Sequence, residues 1–152
     1  MYKILIMGLP GSGKTWLGTR LSKHFMIPCW DANVVRGTYN DWDFSQQGRE
    51  RQALRMRKLA ELDPISISCF IAPLPGYRSF FFPDKLIWMN TIDKSEYEDT
   101  NKLFKPPHKC DLEIRSWINE DQLFKCLEDF NPGMKDTQNF SNELLQKLDK
   151  LS

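Results

Sequence analysis

Hydrophobic positions along the chain fall into short apolar runs separated by stretches in which they recur every three or four residues. The first run, Tyr2–Met7 (YKILIM), is nearly continuous and ends at Gly8, which predicts a central parallel strand covered on both faces. Lys14–Phe25 carries Leu17, Leu21 and Phe25 four apart, one face of a helix. A second strand is predicted over 27–31, entered through Pro28. The longest helical pattern covers 45–62. Ser45 is a good N-cap, Ala53, Met56, Leu59 and Ala60 form the apolar stripe, and Asp63-Pro64 ends it. ISISCFI (65–71), KLIWM (85–89) and a weaker segment at 111–114 predict three more strands. Asn119 with Gln122 has the spacing of a capping box and starts a helix reaching Phe130, which Pro132-Gly133 breaks. Phe140, Leu144, Leu145, Leu148 and Leu151 mark a last amphipathic helix over 137–151. Strands alternate with helices and no segment repeats. The expected fold class is α/β, a mainly parallel sheet flanked by helices on both faces.

The 152 residues suffice for one such domain, expected to span 1–152. Lys and Arg total 21 against 20 acids, a net charge of +1, which argues against a dominant nucleic-acid footprint and leaves room for a local basic patch. No apolar run approaches the roughly 20 residues that span a membrane, and the chain begins directly in a strand, so a cytoplasmic location is expected. Cys29, Cys69, Cys110 and Cys126 show no paired spacing. All four are expected to be reduced, at least two of them buried as small hydrophobes.

Candidate chemistry begins at the end of the first strand. Gly8-Leu9-Pro10-Gly11-Ser12-Gly13-Lys14-Thr15 matches G-x-x-x-x-G-K-[ST] at every fixed position. In such a loop successive backbone N–H groups point inward at a β-phosphate, and the following helix adds the positive end of its dipole. Lys14 supplies a point charge for the β- and γ-phosphates, and the Thr15 hydroxyl is the candidate magnesium ligand. Trp16 follows directly and completes the ATP-binding stretch, although with Trp88 and Trp117 it also reads as core. An apolar strand precedes the loop and an amphipathic helix follows it, the context this motif requires. ATP and Mg2+ are therefore the implied cofactors. A chain this short favours a P-loop kinase, in which catalysis is positioning plus charge neutralisation, over a GTPase or motor.

The next segment carries a family resemblance. Cys29-Trp30-Asp31-Ala32-Asn33-Val34-Val35-Arg36, then Asn40-Asp41-Trp42-Asp43-Phe44-Ser45 and Arg49, resembles the L-D-G-D-N-[VI]-R and D-L-G-F-S-x-x-D-R motifs of the adenylylsulfate (APS) kinases. Ser68 to Pro73 is similar to their S-F-I-S-P strand end. Beyond residue 90 the likeness is thin. The resemblance implies transfer of the ATP γ-phosphate to the 3′-hydroxyl of APS or of a related small anionic, nucleotide-like acceptor. It implies Arg36 and Arg49 as anion grips, Phe44 as a base-stacking face with Phe104 opposite, and Lys102 as a lid lysine. Guanidinium forks and aromatic faces suit those roles. The second carboxylate of D-G-D is Asn33 here, so Asp31 is the acid left to act as base, and Gln52 stands where the family has asparagine. Those kinases are often dimeric; no segment here identifies an interface.

Each residue also has a plainer reading. Arg36 and Arg49 are consistent with surface arginines, Phe44 with packing, and Asp31 with a helix N-cap. Arg49, Arg51, Arg55, Arg57 and Lys58 form either a solvated face or a basic strip for a polynucleotide. His24 and His108 have no partner at ligand spacing. Two other functions therefore stand beside the leading one: a nucleoside, nucleotide or polynucleotide kinase, and a non-catalytic nucleotide-binding module.

Overall fold

Tyr2–Met7 forms strand β1, and its side chains divide between two cores. Ile4 and Ile6 enter one apolar cluster while Leu5 and Met7 enter another on the opposite face, as alternation along a strand requires. The computed structural model describes residues 1–128, 130 and 136–151. Around β1 it arranges α1 (Lys14–Phe25), β2 (Cys29–Asp31), α2 (Ala32–Tyr39), α3 (Gln46–Ala60), β3 (Ile65–Cys69), α4 (Pro75–Phe81), β4 (Lys85–Met89), α5 (Glu98–Leu103), β5 (Leu112–Ile114), α6 (Glu120–Leu127) and α7 (Thr137–Asp149). The five strands pair in parallel in the order β2-β3-β1-β4-β5. The expected α/β class is the observed one.

The first cluster joins the sheet to α1, α6 and α7 through Leu17, Leu21, Leu123, Leu127, Phe140 and Leu144. The second joins it to α3 and α4 through Ala53, Met56, Tyr77 and Phe81. The helix after β1 thus lies on one face and the helix after β3, its neighbour, on the other. A crevice opens between these two strands at their C-terminal ends, where ligands bind in open α/β sheets.

Three helices have no counterpart in the sequence-based expectation. α2 begins at Ala32, immediately after the strand, because the Asp31 carboxylate caps it: Oδ1 accepts N–H groups from Asn33 (2.8 Å) and Val34 (3.4 Å). The strand therefore ends at Asp31, and Asn33 stands on the first turn of a helix. α4 follows Ala72, whose φ of 45° turns the chain ahead of Pro73. α5 spans Glu98–Leu103 and is short and polar. The capping box at Asn119 is present in full, whereas the Pro132-Gly133 break lies outside the described residues. All four cysteines are unbridged, but only Cys69 is fully buried and the other three are half-buried. Trp16 and Trp88 lie half-buried against the two cores. Trp117, expected in the core, is 59% exposed.

Candidate active site

The 8–15 loop leaves β1 and feeds α1. Gly13 sits at φ 99° as the N-cap of α1 and offers no side chain to the helix, so the first-turn N–H groups are left for an anion. Ser12 N–H donates to Leu9 O (3.1 Å), and Ser12 O accepts from Thr91 Oγ1 (2.7 Å), which ties the loop to the end of β4. Lys14 Nζ donates to Leu9 O (2.8 Å). Among the described residues no carboxylate forms an ion pair with it, so an ammonium with three donors has one carbonyl as partner. Burial pulls its pKa down to about 8, and the charges of Cys69 and Asp31 push back only in part. An uncapped helix start and an under-satisfied ammonium in one loop form a donor set that fits a polyphosphate.

Thr15 and Asp31 meet across the crevice, the Thr15 hydroxyl donating to Asp31 Oδ2. With Oδ1 on the α2 N-terminus, Asp31 links the phosphate loop to the helix that carries Asn33 and Arg36. It is therefore both the N-cap of the plainer reading and a neighbour of the candidate metal ligand. Asn33 is exposed on the first turn of α2.

On the acceptor side the expected residues separate into two groups. Phe44 is half-exposed, with the guanidinium carbons of Arg36 and Arg49 lying 4.3 and 5.4 Å from its ring centre. Arg36 is buried and donates to the carbonyls of Asp41 (2.9 Å) and Asp43 (3.2 Å). It pins the 41–45 segment that displays Phe44. Arg49 donates through Nε to Phe44 O (2.9 Å) and lines a cavity of about 310 Å³ with Phe44, Leu74, Tyr77, Phe80 and Leu103. Burial lowers the pKa of Arg49 and raises that of Tyr77, which Arg49 partly offsets.

Gln52, Phe104 and Lys102 lie apart from that cavity's lining. Gln52 is buried, donating to Ala32 O (3.2 Å) and accepting from Arg55 (3.0 Å), so its amide joins α2 to α3. Phe104 ends α5 and packs near the Arg78 guanidinium and the second core, while Lys102 is exposed on α5. The face opposite Phe44 is supplied by α4 instead. Sequence reasoning missed Tyr77 and Phe80, although the aromatic run Tyr77, Phe80, Phe81, Phe82 directly after a strand end was visible. Trp16, grouped with the ATP stretch, packs under the Arg20 guanidinium (4.2 Å) and against the first core.

The arginines of α3 do not form a free basic strip. Arg51 and Arg55 bind Asp41 (2.8 and 3.2 Å), Arg51 also binds Asp43 (3.2 Å), and Arg57 binds Glu61 (3.0 Å). These contacts, led by the Arg51 hydrogen bond, hold the Asp41 carboxyl well below its ordinary range. A cleft of about 790 Å³ runs along β5 and α7 and includes none of the expected site residues. Among the described residues no cluster of three metal-ligating side chains occurs, and no helix is long and apolar enough to cross a membrane.

No protein-family model and no curated protein matches this sequence. Solved structures do match. The Mycobacterium tuberculosis APS kinase, in complex with AMPPNP and APS, has a TM-score of 0.64 at 18% identity, over 84% of this chain and 95% of that one. Shikimate kinase from Aquifex aeolicus has a TM-score of 0.58 at 16% identity, over 96% and 95%. A gluconokinase from Sinorhizobium meliloti has 0.57 at 12% identity, over 99% and 93%. The structural neighbours are P-loop kinases, and at these identities the likeness establishes the P-loop kinase fold.

Proposed function

We propose that this chain is a small-molecule kinase that uses Mg2+ and ATP to phosphorylate a hydroxyl of a small anionic, nucleotide-like acceptor, with APS as the leading candidate. One observation carries the reading: Lys14, with spare donors and no ion-pair partner among the described residues, lies in a phosphate loop whose Thr15 hydroxyl is held by Asp31. Triphosphate oxygens would take the Lys14 ammonium and the N–H groups of the loop. Mg2+ held at Thr15 would supply charge neutralisation at the transferred phosphate. Asp31 orients the Thr15 hydroxyl by accepting its proton side, which leaves the oxygen lone pairs facing outward. The Phe44–Tyr77–Phe80 cavity supports a planar acceptor group and Arg49 supports its anion; the APS kinase neighbour was solved in complex with AMPPNP and APS.

A non-catalytic nucleotide-binding module is supported by a different observation. Asn33 cannot accept a proton, and both oxygens of Asp31 already hold donors. A polynucleotide acceptor is disfavoured by the ion pairs that neutralise α3. The deciding experiment is transfer of labelled γ-phosphate from ATP, with and without APS, and with shikimate, gluconate and an oligonucleotide 5′-end as alternatives. Label on APS alone supports the leading reading. ATP binding without transfer to any acceptor supports the module.

A further inference from the structure

Arg49 shares the wall of the Phe44–Tyr77–Phe80 cavity with a charge of the opposite sign. Glu50, the next residue of α3, lines the same cavity, together with Gln46 one turn earlier. The neighbouring acids are committed elsewhere: Asp41 and Asp43 bind Arg51, Asp41 also binds Arg55, and Glu61 binds Arg57. Among the described residues Glu50 forms no ion pair, and its single hydrogen bond is donated by Gln46 Nε2 to Oε1 (3.2 Å). Oε2 therefore has no donor, on a residue that is half-buried. A carboxylate accepts through both oxygens and donates through neither, so this stretch of wall is complemented only by a donor.

The two charges meet at Tyr77. Burial raises the pKa of its hydroxyl, and beyond that Arg49 lowers it while Glu50 raises it. The cavity thus has aromatic faces on two sides, Phe44 against Tyr77 and Phe80, and a rim of mixed charge along α3. A planar ring seated between those faces turns its edge to α3. There Arg49 takes an anionic substituent, whereas a carbonyl oxygen or a second anion set against Glu50 is repelled and an N–H is bonded. A polyol offers hydroxyl donors to Glu50 but no flat ring to the aromatic faces.

We infer that Glu50 is the specificity-determining residue of this cavity, and that it selects a planar acceptor group bearing an exocyclic amine by accepting the amine N–H on Oε2. The acceptor is thereby narrowed from any anionic, ring-bearing molecule to one built on an amine-bearing base. The inference rests on the reading of this cavity as the acceptor site.

The test is calorimetric titration of the full chain, wild type, E50Q and E50A, each first saturated with Mg2+-bound AMPPNP so that the phosphate loop is occupied. The ligands are two amine-bearing nucleotides, AMP and CMP, and their counterparts without the amine, purine riboside 5′-monophosphate and UMP. Wild type should prefer the amine-bearing member of at least one pair by roughly 10- to 100-fold, the range of a hydrogen bond to a charged group. Preference within the AMP pair alone identifies a purine acceptor, and within the CMP pair alone a pyrimidine. E50A should bind both members of the discriminated pair within about threefold of each other. E50Q, which keeps an acceptor oxygen and loses the charge, should fall between. AMPPNP affinity should be the same in all three proteins, which also shows that the variants are folded. If wild type discriminates within neither pair, or E50A keeps the wild-type ratio, Glu50 is not the selector. If wild type binds AMPPNP and none of the four monophosphates, the cavity is not a nucleotide-like acceptor site and the inference falls with that reading; if it does not bind AMPPNP, both fall with the reading of the phosphate loop.

Discussion

ATP affinity should fall as the pH rises above 8, and Lys14 sets that window. Burial brings its ammonium from the ordinary 10.5 down to about 8. At about 1.4 kcal/mol per tenfold, this displacement amounts to about 3 kcal/mol against the charged form. In the unfolded chain Lys14 stays charged up to 10.5; in the folded protein without nucleotide it is charged only below about 8. The unfolded state therefore binds more protons between those values, and stability rises with pH across that interval. Below it the destabilisation is present in full. A bound triphosphate reverses the preference by surrounding the ammonium with negative charge, so binding takes up a proton above pH 8. If the bound lysine returns to its ordinary range, the apparent dissociation constant about doubles at pH 8 and rises about tenfold by pH 9. Calorimetry between pH 7 and 9.5 reads this directly, because the phosphate's second ionisation, near 6, is already complete. Lys14→Met should lose the pH dependence, lose turnover on the order of 10²-fold or more, and be more stable by up to about 3 kcal/mol. A flat wild-type profile, or a Met variant that melts below wild type, would refute the account of Lys14 as a buried ammonium awaiting an anion.

Asp31→Asn keeps a competent N-cap but loses the carboxylate that holds Thr15, so transfer activity should collapse while stability changes by less than about 1 kcal/mol; Asp31→Ala should lose about 1–2 kcal/mol as well, read by urea unfolding. A Cβ on Gly48 would fall 2.1 Å from Asp43 O, so Gly48→Ala should cost roughly 1–3 kcal/mol and weaken the acceptor more than ATP, since the displaced segment carries Phe44. Arg49→Ala should weaken APS binding by roughly 1.5–3 kcal/mol without altering ATP affinity; equal loss of both ligands would remove Arg49 from the acceptor site. Asp41, its carboxyl held low by Arg51, contributes stability above 3.8 that disappears as pH falls below that value. Asp41→Asn should flatten the acid limb of the stability profile.

Strands β1 and β4 were legible because each is a nearly continuous apolar run, which burial on both faces requires. Lys85–Met89 matches its expected bounds, and Tyr2–Met7 does too. The phosphate loop was legible because its chemistry is local: eight consecutive residues fix both geometry and ligand class. α2 was not, since Val34, Val35 and Gly37 are poor helix formers and its start depends on a carboxylate that the motif reading assigned to catalysis. α4 opens with Pro75-Gly76 and is held by tertiary contact of Tyr77 and Phe81 with the second core. The cavity proposed for the acceptor is assembled from α3, α4, α5 and the 41–45 segment, and no spacing rule brings Phe44 to Tyr77. Gln52 and Phe104, which lie outside that cavity's lining, show the same limit: the side chain of each is engaged in the packing around it.

The division of the protein into two cores that share only the sheet has a consequence for how such chains diversify. The α1, α6 and α7 side underlies the phosphate loop, and the α3 and α4 side underlies the cavity between Phe44 and Tyr77. Asp31 is a polar tie between them, joined by hydrogen bonds to Thr15 on one side and to α2 on the other. Substitutions can accumulate in one layer without repacking the other, provided that this tie and the strands between are kept. On the proposed reading, acceptor preference is thus open to recombination as a cassette of two segments, residues 32–60 and 72–81, exchanged while β3 and the donor half stay constant. A chimera carrying that cassette from a kinase of another acceptor would inherit its new preference with its old nucleotide.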